Sequence, residues 1–491
     1  MKKKFPSISV CMIVKDEEGN LPRLLASIKG LADEVIVVDT GSKDATVRIA
    51  AEFGAKVYHF PWCDDFSAAR NESLKHATKD FILWLDGDDE LRKEEHHNIR
   101  VHLRKYPDAG AYLRTYVEGQ GQAMQLRIFP NHRGINFEGR VHEQVIQVLE
   151  AKGIPVYACN AAVIHHGYEE LGSLEEKLRR NRVILEREMA ERPGDLNVPF
   201  FLARTCGGLG EMELALSYLD TVINRGKEDP AVARQAVFRL AFLEKGQILG
   251  LLGRVEEALS VLIHSKSLFP QSALIRFVLG KLRFERKEYR EAYEELVTLK
   301  DETFQKETTP INVPYMKKWL YRALGVSALF VEDFAVAEEC FTAGIEGDPS
   351  DRAAYHHLAV TRERKGDLEG AIAACRLGLE RANDDVYLRK RLFFLLLKKE
   401  AFSQALDYYE TLDGEKLDID ALSGRFFLSC RALDGPGIQL YYRLLQEKLS
   451  IGPLSFPQNI QVTKSSLRTS SEPRSAELFD AALAFLTAQA A

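Results

Sequence analysis

Short apolar runs alternate with amphipathic stretches over the first third of the chain. ISVCMIV, LPRLLASIKGL, DEVIVVD, KDATVRIAAEFG, AKVYHF, SAARNESLKHA and DFILWLD predict a β-α-β-α-β-α-β series from Ile8 to about Tyr168. Brief β-rich runs separated by helices are the pattern of a mostly parallel sheet covered on both faces. The opening MKKKFPSISVCMIV places positive charge before an apolar run, as a signal peptide does. That run is short, is broken at once by Lys15-Asp16-Glu17-Glu18 and has no small-residue cleavage site behind it, so it is read as the first strand.

After about Leu171 the strand pattern gives way to helices with an internal period. An alanine follows a short turn at Ala215, Ala258, Ala292, Ala337, Ala371 and Ala405, with spacings of 43, 34, 45, 34 and 34 residues. The turns are alike: LGEMELA, LGRVEEA, RKEYREA, VEDFAVA, KGDLEGA and KEAFSQA. Thirty-four residues is the tetratricopeptide period, and a small residue at this point lets two helices approach closely. The expected organisation is a domain over 1–170, a connecting helix over 171–195, helical repeats over 196–445, and a linker with a terminal capping helix over 446–491. The stretch EEKLRRNRVILEREMAER reads as a solvated amphipathic helix joining the halves.

Composition adds mainly exclusions. With 46% hydrophobic and 28% charged residues and a formal net charge of -6, the chain has the make-up of a globular protein. It has no long Lys/Arg block to select a phosphate backbone, so no nucleic-acid partner is expected. Seven cysteines lie scattered without a C-x-x-C pair, which argues against a zinc knuckle or a disulfide framework and fits reduced thiols in the cytoplasm. No run approaches the roughly 20 apolar residues of a membrane span, so any membrane contact would be peripheral, at the inner face.

Polar clusters follow three of the predicted strands, where an α/β sheet binds its ligands: Lys15–Glu18, Asp39-Thr40-Gly41-Ser42 and Asp86-Gly87-Asp88-Asp89. Hard oxygen ligands crowded at a strand end suit Mg²⁺ or Mn²⁺, which would neutralise a diphosphate. Taken alone, a D-x-D also fits a solvated acidic turn. Its place directly after the fourth apolar strand points instead to a ligand site. Asp39 can accept hydrogen bonds from a base or ribose, while Ser42 and Asp44 read as turn and cap residues. Trp62, Trp84 and Trp319 read as packing residues, and His96 and His97 as positions on an exposed helix.

Together, ISVCMIVKDEEGNLPRLLASI, EVIVVDTGSKDATVRIA and FILWLDGDDEL resemble the inverting family-2 glycosyltransferases. The likeness is to the branch that includes sublancin-type peptide glycosyltransferases and bacterial enzymes with appended tetratricopeptide repeats. The resemblance spans roughly residues 6–170. It implies an α/β GT-A (nucleotide-diphospho-sugar transferase, Rossmann-like) domain followed by an all-α tetratricopeptide solenoid. It also implies a nucleotide-diphosphate sugar donor, with UDP-sugar the expected class, and Mn²⁺ or Mg²⁺. By the same resemblance Val14, Glu18 and Asp39 contact the nucleoside, and Asp86 approaches the ribose or sugar. Asp88 is the principal metal ligand, and His165, or His166 beside it, completes the metal site. Arg70, at the start of the helix in DDFSAARNESL, would face the diphosphate, with Arg127 assisting.

An inverting transfer needs a carboxylate to take the acceptor's proton. The sequence has no obvious T/E-D or Q-x-x-R-W motif of the processive members, which argues against a polysaccharide synthase. Glu143, in the position of the branch's HE motif, is the expected base, and an acidic residue on a surface strand is the competing reading. The acceptor is expected to be a protein or peptide held by the repeats, or a saccharide, and such an array can equally serve homodimerisation. The alternative to an enzyme is an interaction scaffold whose GT-A domain is inactive or merely binds a nucleotide sugar.

Overall fold

The computed structural model describes residues 5–117, 121–166, 172–229, 236–301, 313–405, 419–449, 463, 467 and 473–490. They fall into two compact units, Met1–Lys317 and Lys318–Ala491. Among the described residues no helix is long and apolar enough to cross a membrane.

The first unit begins with an eight-stranded sheet in the order β3-β2-β1-β4-β7-β6-β8-β5. Its strands are β1 (Ile8–Val14), β2 (Glu34–Asp39), β3 (Lys56–His59), β4 (Phe81–Trp84), β5 (Asp89–Glu90), β6 (Gly110–Val117), β7 (Gly121–Pro130) and β8 (Val156–His165). The expected parallel series holds for β3, β2, β1 and β4. Beyond β4 the sheet is mixed: β7 runs antiparallel to β4 and β6, β8 is parallel to β6, and β5 is antiparallel to β8. The departure has a local cause, because β6 and β7 are joined by a short connection and can only pair as a hairpin.

Both faces of the central strands are buried, which is why they read as continuous apolar runs. Ile8, Val10, Met12 and Val14 of β1 share one core with Leu21, Leu24 and Leu25 of α1 (Leu21–Ser27) and Ile99 and Leu103 of α4 (Lys93–Lys105). Cys11 and Ile82 point to a second core with Phe129, Phe137 and Leu149, the last on α5 (Ile146–Ala151). The remaining helices of the sheet domain are α2 (Thr46–Glu52) and α3 (Phe66–Lys75).

From α6 (Gly172–Glu191) onward the described chain is helical, apart from its turns. The six repeat alanines, Ala215 to Ala405, are all fully buried. Ala215 is the fourth residue of α8 (Met212–Glu228), which follows α7 (Asn197–Gly208). Ala258, Ala292, Ala337 and Ala371 occupy the same place in helices that begin at Val255, Tyr289, Phe334 and Leu368. Twelve residues before three of them stand Gly246, Gly280 and Gly325, and twelve before Ala371 stands Ala359. A Cβ on Gly280 would come within 2.6 Å of Leu296, and one on Gly325 within 2.8 Å of Phe341. These repeats therefore use a small residue on each helix of a pair, whereas Phe393 stands twelve before Ala405, and only the second small residue recurs after a similar turn. Most of the Ser/Pro-rich segment expected to be a linker lies outside the described residues. The terminal helix Pro473–Ala490 packs Phe479 against Phe426, their ring centroids 5.2 Å apart.

A buried polar knot ties β2 to the chain before β4. Glu34 accepts hydrogen bonds from the Ser9 hydroxyl at 2.7 Å, Thr78 N at 2.8 Å and Lys56 Nζ at 2.8 Å. Burial opposes its charge, but Lys56, Ser9 and Thr78 outweigh that and bring the carboxyl down to about 2. A carboxyl depressed below its unfolded value stabilises the fold above the unfolded pKa and loses that contribution as pH falls. Glu34→Gln is therefore expected to lose about 1–3 kcal/mol at neutral pH. In urea unfolding followed by circular dichroism, its gap from the native chain should shrink as pH falls from about 4.5 to about 2.

Candidate active site at the end of β4

β4 is central and buried, and the chain leaves it through Leu85 into a tight acidic turn. Asp89 N donates to Asp86 O at 3.1 Å, and Asp86 N donates to Asp89 Oδ2 at 2.7 Å, so the Asp89 carboxylate closes the turn from inside. Asp89 is fully buried. β5 then pairs with the end of β8, setting Asp89 opposite His165. This pairing brings together residues 76 positions apart: His165 Nδ1 lies 3.0 Å from Asp89 Oδ1 and 3.3 Å from Asp88 Oδ1.

Two guanidinium groups offset part of the carboxylates' charge. Arg70, on the buried face of α3, reaches Asp86 Oδ1 with Nη2 at 2.7 Å and Glu143 Oε1 with Nε at 2.5 Å. Arg127, on β7 and 1% exposed, places Nη1 3.4 Å from Asp86 Oδ2 and 3.1 Å from Asp89 Oδ2. Both lie against the Trp84 ring, with guanidinium carbons 4.4 and 4.0 Å from its centroid. The Trp84 indole N–H donates to Leu126 O at 2.7 Å, which fixes that platform. Trp84, expected as plain packing, is thus the surface on which the two cations of the site are laid.

The charge balance remains negative, and the titration of the groups reflects it. Burial disfavours the charge of Asp86, but Arg70 and Arg127 prevail and hold its carboxyl well below the usual carboxylate range. Asp88 moves the other way: burial, with Asp86 and Asp89 close by, raises it against the pull of His165. His165 is raised despite burial by its contact with Asp89 and by the charges of Asp88 and Asp86. Ligand atoms of Asp86, Asp89 and His165 all lie within 4.8 Å of one another. Carboxylate oxygens with one imidazole, carrying unneutralised negative charge, are a donor set that fits Mg²⁺ or Mn²⁺. The group the fold gathers is thus Asp86, Asp89 and His165, and Asp88, the expected principal ligand, stands beside it with Oδ1 3.3 Å from His165 Nδ1.

Glu17, rather than the expected Glu18, lies beside this cluster. Burial, followed by the charges of Asp88 and Asp86, raises its carboxyl, partly offset by Asn20 and Lys177. Gly87 makes room for it, since a Cβ there would stand 2.8 Å from Glu17 Cγ. The glycine between two aspartates was the available signal.

The other expected nucleoside contacts sit in the loops after β1 and β2. Val14 O accepts from Thr40 N at 3.0 Å. The Glu18 carboxylate accepts from Ala45 N at 2.9 Å, while Asp39 accepts from Ser42 N at 3.0 Å and lies 3.3 Å from His59 Nδ1. These contacts tie the β1 and β2 loops together, and both carboxylates are committed to loop backbone. Glu143 sits in the loop Glu138–Gln144 with an 11% exposed side chain, so the reading of it as a residue on a surface strand is not what the fold shows.

Residues 9–170 match the family described as glycosyl transferase family 2. The chain carries a family 2 glycosyltransferase domain. A TPR repeat-containing protein of Synechococcus elongatus is 38% identical over 261 residues, covering 49% of this chain and 62% of the relative. The SPbeta prophage-derived glycosyltransferase SunS of Bacillus subtilis is 29% identical over 236 residues, covering 46% of this chain and 56% of SunS. The chain thus spans about three fifths of the length of these relatives. Among solved structures, YrrB, a TPR protein, aligns over 44% of this chain and 97% of its own at 15% identity with a TM-score of 0.32, too low to bear on function. The family 2 domain ends where α6 begins, so the acidic turn, both arginines, Glu143 and His165 all fall inside it.

Arg127→Met leaves buried Asp89 without its guanidinium partner, while Asp86 keeps Arg70, and is expected to destabilise the first unit by about 3–5 kcal/mol in urea unfolding. Adding Asp89→Asn should recover part of that loss, as neighbours in one network are not additive. Mn²⁺ should raise the unfolding midpoint of Arg127→Met more than that of the native chain.

Proposed function

We propose that the chain transfers a sugar from a nucleotide-diphosphate sugar, a UDP-sugar by expectation, to a protein, peptide or saccharide acceptor with inversion at the anomeric carbon. The observation that carries this reading is the acidic turn Asp86–Asp89, with His165 and two buried arginines, at the end of a central strand within the matched domain. A divalent cation bound there would stabilise the leaving diphosphate as negative charge develops on it.

The chain's own residues supply the remaining functions. Val14, Glu18 and Asp39 frame the nucleoside end at the loops after β1 and β2. Asp86, fixed by Arg70 and Arg127, presents one edge to the sugar, and the guanidinium charge is in place before reaction, which is the arrangement that lowers a barrier most. Glu143 takes the acceptor's proton as the acceptor atom attacks from the face opposite the diphosphate. Its pairing with Arg70 through Oε1 supports this role, because it fixes the carboxylate's direction within the site. The stacked helical pairs support an acceptor bound as an extended peptide, since arrays of this kind offer a long surface to such ligands.

The test is a panel of nucleotide sugars, with and without Mn²⁺ or Mg²⁺, measured by calorimetry and by release of the nucleoside diphosphate. Metal-dependent binding and slow hydrolysis of one donor, abolished in Asp88→Ala, is the expected result. No binding of any donor to the folded chain with either metal would overturn the proposal and leave the repeat scaffold. Glu143→Gln should keep donor affinity while kcat falls by about 10²- to 10⁴-fold.

A further inference from the structure

The loop that carries Glu143 is gripped from two sides. Its neck is closed by Glu138 N donating to Gln144 O and Gln144 N donating to Glu138 O, both at 2.9 Å. On one side α3 holds it: Phe66 N donates to Arg140 O at 2.9 Å, and the Ser67 hydroxyl donates to Gly139 O. On the other side stand α6 and α7, which lie beyond the family 2 domain.

That second grip centres on one carboxylate. Arg140 N donates to both oxygens of Glu188, at 3.1 and 3.0 Å, and Glu188 is 1% exposed. The Arg140 guanidinium continues to Glu191 Oε2 at 2.9 and 2.7 Å. Val141 is buried with Ile184 and Leu185 of α6 and Val198 and Leu202 of α7. His142, whose φ of 58° lies in the left-handed region that a side chain resists, stacks on Phe201 with ring centroids 4.3 Å apart. A carboxylate is an expensive group to bury for one backbone N–H and the edge of Arg192, 3.2 Å away, where an apolar side chain would pack without that penalty. What Glu188 secures is the placement of the next residues, and the second of these after Val141 is Glu143.

We propose that Glu188 is a positioning residue for sugar transfer: from the helix that follows the catalytic domain, it holds the Glu138–Gln144 loop so that Glu143 faces Arg70 and the end of β4. The inference rests on the reading of Glu143 as the proton acceptor. It makes α6 and α7 part of the active-site framework, because a misplacement of about 1 Å at a reacting group is enough to lower a rate by about 10²-fold.

The experiment uses the full chain with Glu188→Ala and Glu188→Gln and three readouts: amide hydrogen exchange of the Glu138–Gln144 loop, hydrolysis of UDP-glucose, UDP-galactose and UDP-N-acetylglucosamine with Mn²⁺, and thermal unfolding. In Glu188→Ala the loop amides should exchange at least about tenfold faster while α7 keeps native protection. On a donor the native chain hydrolyses, kcat should fall by about 10- to 100-fold with KM within about twofold. Glu188→Gln, whose amide oxygen still accepts the Arg140 N–H, should stay within about threefold of native kcat. Unchanged loop exchange in folded Glu188→Ala, or a loosened loop with native kcat, overturns the inference. Should Glu188→Ala fail to fold, Phe201→Leu, which removes the stack on His142, must show the same split of kcat from KM, and native kcat in that variant overturns it equally. If the native chain hydrolyses no donor, the transferase reading fails by itself, and loop exchange still decides whether Glu188 holds the loop.

Discussion

Asp89 sits fully buried at the end of β4, with Arg127 on one oxygen, His165 on the other and the backbone of its own turn between them. A carboxylate in that position is tolerated because both of its oxygens are partnered. The contacts it makes define three different parts of the sheet: the turn after β4, the strand β7 that carries Arg127, and the far end of β8. The mixed half of the sheet is therefore more than an extension of the parallel half. It is the means by which a cation and an imidazole are delivered to an acidic turn from opposite directions. Asp86 and Asp88, which are less buried, inherit a fixed geometry from Asp89 without having to hold the turn themselves.

The arginines add a second constraint. Both guanidinium groups lie on one indole, and both reach Asp86. Arg70 then extends the network to Glu143, so the acidic turn and the loop of Glu143 share one cation. Movement of Arg70 toward a bound diphosphate would loosen its hold on Glu143 as well as on Asp86. In the proposed transfer, proton acceptance and donor binding would thereby be linked by a single side chain, a link that separate arginines for the two groups would not give.

The architecture was legible in the sequence wherever a residue's role is local. Strand ends after Val14, Asp39 and Trp84, the D-x-D turn and the repeat alanines all announce themselves by what stands next to them. Legibility failed where the role is set by a partner far along the chain. Nothing near Asp89 in sequence says that it faces His165, and a β-α-β series gives no warning that the later strands turn antiparallel. Trp84 read as packing because its task depends on Arg70 and Arg127, which come from a helix and a strand on either side of it in sequence. Glu17 was hidden by its neighbour Glu18, and only the space left by Gly87 separates the two. In the repeats, the alanine of the second helix was visible because it follows a recurring turn, while its partner glycine lies inside a helix with no such marker.

α6 is the element whose partners the sequence shows least. Its sequence, EEKLRRNRVILEREMAER, reads as a solvated amphipathic helix, and much of the helix is indeed exposed. One face nevertheless carries Ile184, Leu185 and the buried Glu188, and that face meets the loop of Glu143. A helix with one short apolar seam among many charges presents little area to the core, so its stability must come from the partners at both ends of that seam. Here those partners are the catalytic domain's loop and α7. The consequence is that the first helical pair is folded against the sheet domain through the same residues that set Glu143. The sheet domain cut off at residue 170 would keep its acidic turn and both arginines but lose one of the two walls that hold its proposed base.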